Sequence, residues 1–241
     1  MALHSFSMAL IFQNLNKASG FHGLMGKLVA FEGIDSSGKA TQMRLLRENL
    51  TALGYSVATF DFPQYDKEYG KKIADYLKGK LGDFRKTDPY DIAELYALDR
   101  LSSRQEIRDA LDSYDVVLIN RYVSSNIAYP CARIEDPKEK EKFREWMLKL
   151  EYITHEMPHE DLVVFLDVPV RISFSLRKSR GQISHGDVHE KDARYQESVA
   201  KEYLKLAKQP HWVKLTCAGD SAMLREEEIA EMVLQAVKRV L

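Results

Sequence analysis

Cysteine is scarce in this chain, and its scarcity excludes two kinds of protein. Only Cys131 and Cys217 occur among 241 residues, and they lie in different segments without metal-ligand spacing. Neither a disulfide framework nor a structural zinc site is therefore predicted. A reducing, cytoplasmic compartment is the natural expectation for a chain with so few thiols.

An excess of charge of either sign is absent as well. The chain has 35 Lys and Arg residues against 36 Asp and Glu residues, a formal net charge of −1. This balance argues against a general nucleic-acid or membrane-surface binder. Long apolar runs are also missing, since runs such as 162–166 have strand length and fall far below the roughly 20 residues that a bilayer span requires. Because the overall charge is balanced, any phosphate recognition is expected at a local site.

The first 24 residues differ from the rest of the chain. They contain no acidic residue, a single lysine (Lys17) and no clear periodicity. A targeting leader usually carries more arginine or a longer apolar centre, so we interpret 1–24 as a disordered extension or a non-native start, with Met8 and Met25 as candidate starts. Residues 25–241 are predicted to form one domain, because this length with 45% hydrophobic residues supplies one sizeable core.

Apolar strand-like runs alternate with helical periodicity from Lys27 onward, which predicts a parallel sheet covered by helices. The strands are predicted at 27–33, 56–62, 116–119, 162–166 and 212–216. Asp88 is a candidate N-cap with Pro89 in the first helical position, and one helix is predicted from there to about Leu111. Further helices are predicted between the third and fourth strands, from Pro169 to near Arg180, up to about Lys208, and at the C-terminus.

A glycine-rich loop, Gly-Ile-Asp-Ser-Ser-Gly-Lys-Ala-Thr at 33–41, joins the first predicted strand to the first predicted helix. Backbone N–H groups of such a loop converge on phosphate oxygens, the helix N-terminus adds positive potential, and Lys39 can reach the β- and γ-phosphates. The strand–loop–lysine–helix order is therefore a specific signal of a nucleoside triphosphate site. The predicted ATP-binding residues are Gly33, Ser36, Ser37, Gly38, Lys39, Ala40 and Thr41.

Four further stretches follow the loop in an order that resembles the thymidylate kinase family. They are Phe62-Pro63, Leu95-Tyr96-Ala97-Leu98-Asp99-Arg100, Asn120-Arg121-Tyr122 and Ser124-Ser125-Asn126-Ile127-Ala128-Tyr129. The resemblance extends from about Gly26 to Leu241. It implies an α/β fold of the P-loop nucleoside monophosphate kinase type, with a five-stranded parallel sheet of order 2-3-1-4-5, helices on both faces and a lid at about 177–192. It also implies a homodimer that phosphorylates dTMP to dTDP with Mg-ATP, in the synthesis of dTTP.

The resemblance carries roles to individual residues that would read the acceptor nucleotide. Tyr96 would stack on thymine, and Arg100, one helical turn later, would donate to thymine O4. The Asn126 amide can match the N3–H and O4 edge, and Tyr129 resembles the residue that leaves no room for a 2′-hydroxyl. The predicted substrate-binding residues are Asp35, Phe62, Tyr96, Arg100, Arg121, Ser125, Asn126 and Tyr129.

Phosphoryl transfer needs compensation of charge, and the resemblance also indicates which residues supply it. Asp35 resembles the carboxylate that approaches the acceptor's 3′-hydroxyl and orients nearby arginines. Arg121 follows a strand at the carboxyl edge of the sheet and would neutralise the acceptor phosphate. Neither Ser36 nor Ser37 is basic, and in this family the absence of a basic residue from the loop goes with catalytic arginines in the lid. The predicted catalytic residues are Lys39, Asp35, Arg121, Arg177 and Arg180.

Three departures from the family pattern concern the phosphate and metal end. Ala40 lacks the hydroxyl that normally ligates Mg²⁺, Asn120 replaces the usual aspartate, and Gln64 stands where many relatives have an arginine. The metal ligands therefore stay unassigned, with water-mediated binding near Thr41 and Asn120 as one option, since Mg²⁺ keeps much of its hydration. These departures favour a catalytically weakened nucleotide-binding protein as an alternative function.

Two rival functions lie within the wider class of P-loop proteins. The first is that of another nucleoside or nucleotide kinase, such as a deoxynucleoside kinase, against which Asn126 and Arg100 favour thymine as the base. The second is that of a GTPase or ATPase switch, which the absence of an N-K-x-D-type sequence disfavours. His185 and His189 are not interpreted as a metal site, because they lie in a polar loop without the HExxH order.

Overall fold

The computed structural model describes residues 26–179 and 192–241. The predicted N-terminal extension at 1–24 lies outside the described residues. So does most of the predicted lid, including Arg180, His185 and His189. Within the described parts of the chain, no helix is long and apolar enough to cross a bilayer.

Five parallel strands form a single sheet. They are β1 (Lys27–Glu32), β2 (Val57–Asp61), β3 (Val116–Asn120), β4 (Leu162–Asp167) and β5 (Trp212–Thr216). Their order is β2-β3-β1-β4-β5, with every pairing parallel. The predicted fold class and strand order are confirmed. The central strands read as continuous apolar runs because helices cover both faces of the sheet.

One to three described helices follow each strand along the chain. They are α1 (Lys39–Ala52), α2 (Glu68–Leu77), α3 (Pro89–Leu101), α4 (Arg104–Ser113), α5 (Ser125–Cys131), α6 (Pro137–Leu148), α7 (Val170–Ser179), α8 (Ala193–Leu206) and α9 (Glu226–Val237), with a π-helical turn (Lys149–Thr154) after α6. The side chains of Asp88, Asp136 and Asp192 each accept a bond from a first-turn N–H group of the following helix. Such caps satisfy backbone donors that a helix leaves unpaired at its start.

Two hydrophobic layers lie on opposite faces of the sheet. Val29 and Phe31 of β1 face α1 and α9, where they pack with residues such as Leu46 and Val233. The alternate β1 residues, including Ala30, face the layer that contains α2 to α6 and α8. Helices of this second layer contribute residues to the lining of the cavity described below.

The prediction of a single helix from Pro89 to about Leu111 is wrong, because α3 and α4 are separate. The hydroxyl of Ser102 donates to the carbonyl of Asp99 at 2.7 Å, and the hydroxyl of Ser103 donates to Gln64 Oε1 at 2.6 Å. Serine hydroxyls that bond nearby polar groups compete with the helical ladder. The chain therefore ends α3 at Leu101 and restarts α4 at Arg104.

Candidate active site

The glycine-rich loop between β1 and α1 adopts a backbone conformation with several positive φ angles. Ser36 has φ 59° and Gly38 has φ 92°, in the left-handed region where few non-glycine residues occur. A Cβ atom at Gly33 would lie 2.7 Å from Ser37 Oγ and 2.9 Å from the Leu166 carbonyl, so only glycine fits there. The Lys39 ammonium bonds the carbonyls of Gly33 at 3.1 Å and Ile34 at 2.8 Å. The cation is therefore held over the loop, where a phosphate would bind.

The end of the loop where the sequence predicts a metal is polar, without a cluster of carboxylates among the described residues. Ala40 is exposed and Thr41 is partly exposed at the start of α1. The Asn120 amide nitrogen donates to Asp61 Oδ1 at 2.7 Å, and Asn120 Oδ1 is buried without a hydrogen bond from the described chain. No group of three His, Cys, Asp or Glu side chains suited to a metal ion occurs among residues 26–179 and 192–241. A metal there would need ligands from water and phosphate.

A cavity of about 200 Å³ opens beside the loop, at the carboxyl edge of β1, β2 and β3. Ligands of open α/β sheets bind at this edge. All eight predicted substrate-binding residues line it: Asp35, Phe62, Tyr96, Arg100, Arg121, Ser125, Asn126 and Tyr129. The lining also contains residues outside the predicted substrate-binding set, of which only Pro63 belongs to a stretch quoted above: Pro63, Tyr65, Tyr76, Leu77, Ile92, Pro130, Arg133 and Tyr195.

One end of the cavity presents an arginine and an amide in fixed orientations. Arg100 is 2% exposed, and its Nε donates to Glu151 Oε1 at 2.9 Å while Nη2 donates to the same oxygen. Burial acts to lower the pKa of Arg100, but the charge of Glu151 outweighs it and raises that pKa. The Asn126 Nδ2 donates to the Ala93 carbonyl at 2.8 Å, which fixes the amide because a carbonyl only accepts.

The other end of the cavity is built around Arg121 and Asp35. Arg121 has φ 62°, and its backbone N–H donates to the Phe31 carbonyl at 3.0 Å. Its guanidinium forms an ion pair with Asp35 and donates to the Tyr129 hydroxyl at 3.2 Å. Burial acts to lower the pKa of Arg121, but Tyr129 and Asp35 raise it well above its ordinary value. The guanidinium therefore stays charged beside the loop.

Glu32, at the end of β1, holds the segment that carries Arg121. Its carboxylate is fully buried and accepts bonds from the N–H of Tyr122 at 2.8 Å, the Ser125 hydroxyl at 2.6 Å and the Tyr203 hydroxyl at 2.8 Å. A buried carboxylate with several donors is strongly anchored. An acidic residue at the end of an apolar strand was the available sequence signal for it.

Arg177 and Gln64, two positions that the sequence analysis singled out, are both packed against neighbouring residues. Arg177, near the end of α7, is 2% exposed, and its guanidinium lies 4.2 Å from the ring centre of Phe174. The Gln64 side chain accepts from Ser103 Oγ at the junction of α3 and α4, while its neighbours Pro63 and Tyr65 line the cavity. Gln64 therefore contributes to packing between elements.

The sheet order, the loop and the adjoining cavity define a P-loop protein with the nucleoside monophosphate kinase topology. A family model described as thymidylate kinase matches residues 31–229. Thymidylate kinase of Mycobacterium tuberculosis (strain H37Rv) is 35% identical over 186 residues, covering 76% of this chain and 86% of that protein. A probable thymidylate kinase of Pyrococcus abyssi is 33% identical over 220 residues, covering 90% and 98%.

The fold has a solved counterpart in thymidylate kinase from Candida albicans. The two structures align with a TM-score of 0.71 at 21% sequence identity, over 90% of this chain and 93% of the other. At that identity the alignment supports the fold alone. The family model and the sequence relatives carry the assignment: the chain belongs to the thymidylate kinase family.

Proposed function

We propose that this protein transfers the γ-phosphoryl group of ATP to dTMP, producing dTDP and ADP. The observation that carries this proposal is the oriented pair of polar groups at the base end of the cavity. Asn126 has its amide nitrogen bonded to Ala93, so its oxygen is the group it offers a ligand. Arg100, which also lines the cavity, donates to Glu151 through Nε and Nη2. Its third nitrogen, Nη1, is the one that it would offer a ligand.

An acceptor beside a donor matches the edge of thymine. Its N3–H would donate to Asn126 Oδ1, and its O4 would accept from Arg100. Cytosine presents the reverse pattern, with an acceptor at N3 and donor hydrogens at N4, so it would leave both buried protein groups unpaired. Mispaired buried groups cost about 1–3 kcal/mol each, which is enough for strong discrimination. Tyr96, also in the lining, would stack on the ring.

The sugar and phosphate of dTMP would lie at the opposite end of the cavity. Tyr129 would pack against the deoxyribose and exclude a 2′-hydroxyl. Arg121 would neutralise the 5′-phosphate, and Asp35 would approach the 3′-hydroxyl, as the family resemblance implies. Because Asp35 pairs with Arg121, one ion pair would orient both ends of the acceptor sugar.

ATP would bind with its phosphates in the loop, where Lys39 would exchange its carbonyl partners for phosphate oxygens. An oxygen of the dTMP phosphate would form a bond to the γ-phosphorus as the bond to the β–γ bridging oxygen of ATP breaks, leaving ADP. Lys39, Arg121 and Arg177 would stabilise the charge on these oxygens, and Arg180 is proposed for the same role from its sequence position.

Mg²⁺ is proposed to accompany ATP, and the residues at the metal end fit a hydrated ion. The buried Asn120 Oδ1 accepts no hydrogen bond from the described chain and would accept one from a metal-bound water, as would the hydroxyl of Thr41. When bound, the ion would supply charge neutralisation on the phosphates. A neutral amide at Asn120 would hold it less strongly than a carboxylate.

Steady-state phosphorylation of dTMP with Mg-ATP, compared with thymidine, UMP, dUMP, dCMP, dAMP and dGMP, tests the proposal. We expect dTMP to have the highest kcat/KM and dCMP to be discriminated by about a hundredfold or more, because two buried groups would be mispaired. Preference for thymidine over dTMP would instead indicate a deoxynucleoside kinase. ATP binding without turnover of any monophosphate would establish the weakened paralogue that Ala40, Asn120 and Gln64 motivate.

Two further properties are proposed from the family resemblance. We expect the enzyme to act as a homodimer. A cytoplasmic location agrees with Cys131 and Cys217, both free and buried thiols of a kind that a reducing compartment preserves.

A further inference from the structure

We propose that Gln196 is a positioning residue for phosphoryl transfer, which fixes the Asp35 carboxylate against Arg121 through two hydrogen bonds. This inference rests on the proposed function and adds a residue to it. Gln196 lies in the first turn of α8 and is 1% exposed. Its Nε2 donates to Asp35 Oδ2 at 2.6 Å, and its Oε1 accepts from the Asp35 backbone N–H at 3.3 Å.

The chemistry of these contacts requires an amide. The Asp35 N–H only donates and the Asp35 carboxylate only accepts, so the partner must offer an acceptor and a donor from one planar group. Glutamine meets both needs, whereas an ionised glutamate would place a second negative charge against the carboxylate. Because Nε2 holds Oδ2, the other carboxylate oxygen, Oδ1, is directed to the Arg121 guanidinium.

A second helix contacts the same loop residue. The Ser173 hydroxyl of α7 donates to the Asp35 carbonyl at 2.6 Å, and Ser173 is 2% exposed. The carbonyl, the N–H and the carboxylate of Asp35 are thus each bonded by α7 or α8. These are the two helices on either side of residues 180–191. The position of Asp35 therefore depends on how α7 and α8 pack, and Gln196 makes the contact that reaches its charged group.

Among residues 26–179 and 192–241, the Asp35 carboxylate forms an ion pair with Arg121, at the junction of β3 and α5. Tyr129 of α5 and Tyr195 of α8 also face it, and burial raises the pKa of both phenols well above the ordinary value, so they are neutral. A negative charge introduced at position 196 would therefore compete with Asp35 for the same guanidinium.

Other charged groups nearby are held by different partners. From the loop, the Lys39 ammonium bonds the Gly33 and Ile34 carbonyls. From α7, Arg177 lies one turn beyond Ser173 with its guanidinium against Phe174. Replacement of Gln196 is thus expected to affect Asp35 and the acceptor side of the reaction before it affects the ATP side.

Two substitutions of Gln196 and one matched control test this role in the full-length enzyme. Gln196→Leu keeps the size and removes both hydrogen bonds, and we expect kcat/KM for dTMP to fall about 10- to 100-fold, with KM for ATP within about twofold of wild type. Gln196→Glu should lose activity as the pH rises, because the new carboxylate repels that of Asp35. It should regain activity as the pH falls, because a proton taken up by the two carboxyl groups restores a hydrogen-bond donor between them. Glu197→Gln, on the exposed face of the same helix, should match wild type.

The outcomes that would overturn the proposal are distinct from failure of the proposed function. If Gln196→Leu only lowers Tm while kcat/KM for both substrates stays near wild type, Gln196 is structural and the proposal is wrong. A pH profile of Gln196→Glu identical to that of wild type would also overturn it. NMR titration of the Asp35 carboxyl carbon needs no turnover, and its midpoint should move to higher pH in both variants even if wild type prefers another monophosphate. An unchanged midpoint in both would refute the contact.

Discussion

At the scale of single residues, the candidate site depends on charged groups that would be unstable if they were buried alone. Arg100 and Glu151 are both buried, and each compensates the desolvation of the other. Such a pair adds little net stability compared with apolar residues, but loss of one partner is costly. Its position at the wall of the cavity points to a role in orienting Arg100 for the base.

Glu151→Gln tests that role. Without the carboxylate, the guanidinium of Arg100 loses its anchor, and we expect KM for dTMP to rise at least about tenfold, with discrimination against dCMP reduced and KM for ATP nearly unchanged. The control is Glu156→Gln, which alters an exposed carboxylate five residues away that pairs with Arg104 and Arg108 on the surface. Equal effects of the two substitutions on dTMP would contradict an orienting role for Glu151.

At the scale of elements, the cavity is shaped by how closely helices approach loops. Helix α2 packs so tightly on the segment after β2 that a Cβ atom at Gly70 would lie 1.8 Å from the Gln64 carbonyl oxygen. Pro63 and Tyr65, on either side of Gln64, line the cavity. Glycine in this helix is therefore required by packing, although glycine lowers intrinsic helix stability.

Gly70→Ala should accordingly destabilise the protein despite the better helix propensity of alanine. Overpacking against backbone costs about 1–3 kcal/mol, and we expect Tm to fall by several degrees with an increase in KM for dTMP as residues 63–65 shift. Gly219→Ala is the control, because nothing lies within 4 Å of the position that its methyl group would occupy. A Gly70→Ala variant as stable as wild type would show that α2 can move away from the loop at no cost.

At the scale of the whole molecule, stability has a pH dependence that originates away from the proposed reaction. Burial raises the pKa of Glu160 to about 7, while the Tyr152 hydroxyl donates to its carboxylate at 2.6 Å. Burial lowers the pKa of His159, stacked on Tyr152, to about 4. Glu160 thus contributes stability that is present below about pH 4.5 and is lost as the pH rises through about 7. His159 has the opposite trend, losing stability as the pH falls from about 6.5 towards 4.

Glu160→Gln removes one of these two contributions. The amide oxygen can still accept from Tyr152 and does not ionise. The Tm of the variant minus the Tm of wild type should therefore rise by a few degrees as the pH is raised from about 5 to about 8. Glu145→Gln, at an exposed position of α6, should show no such trend. Thermal unfolding at several pH values measures both, and a difference independent of pH would contradict the assignment to Glu160.

The sequence alone determined the five strands and the phosphate loop, because these follow from periodicity and from a motif a few residues long. Half of the residues that line the cavity were named through the resemblance of the sequence to the thymidylate kinase family. The sequence did not predict the break between α3 and α4, which depends on Ser103 meeting Gln64. Nor did it indicate Glu151 or Gln196, which contact Arg100 and Asp35 from 51 and 161 residues away. Only the tertiary structure decides such contacts, because they depend on how whole helices pack and leave no local pattern in the chain.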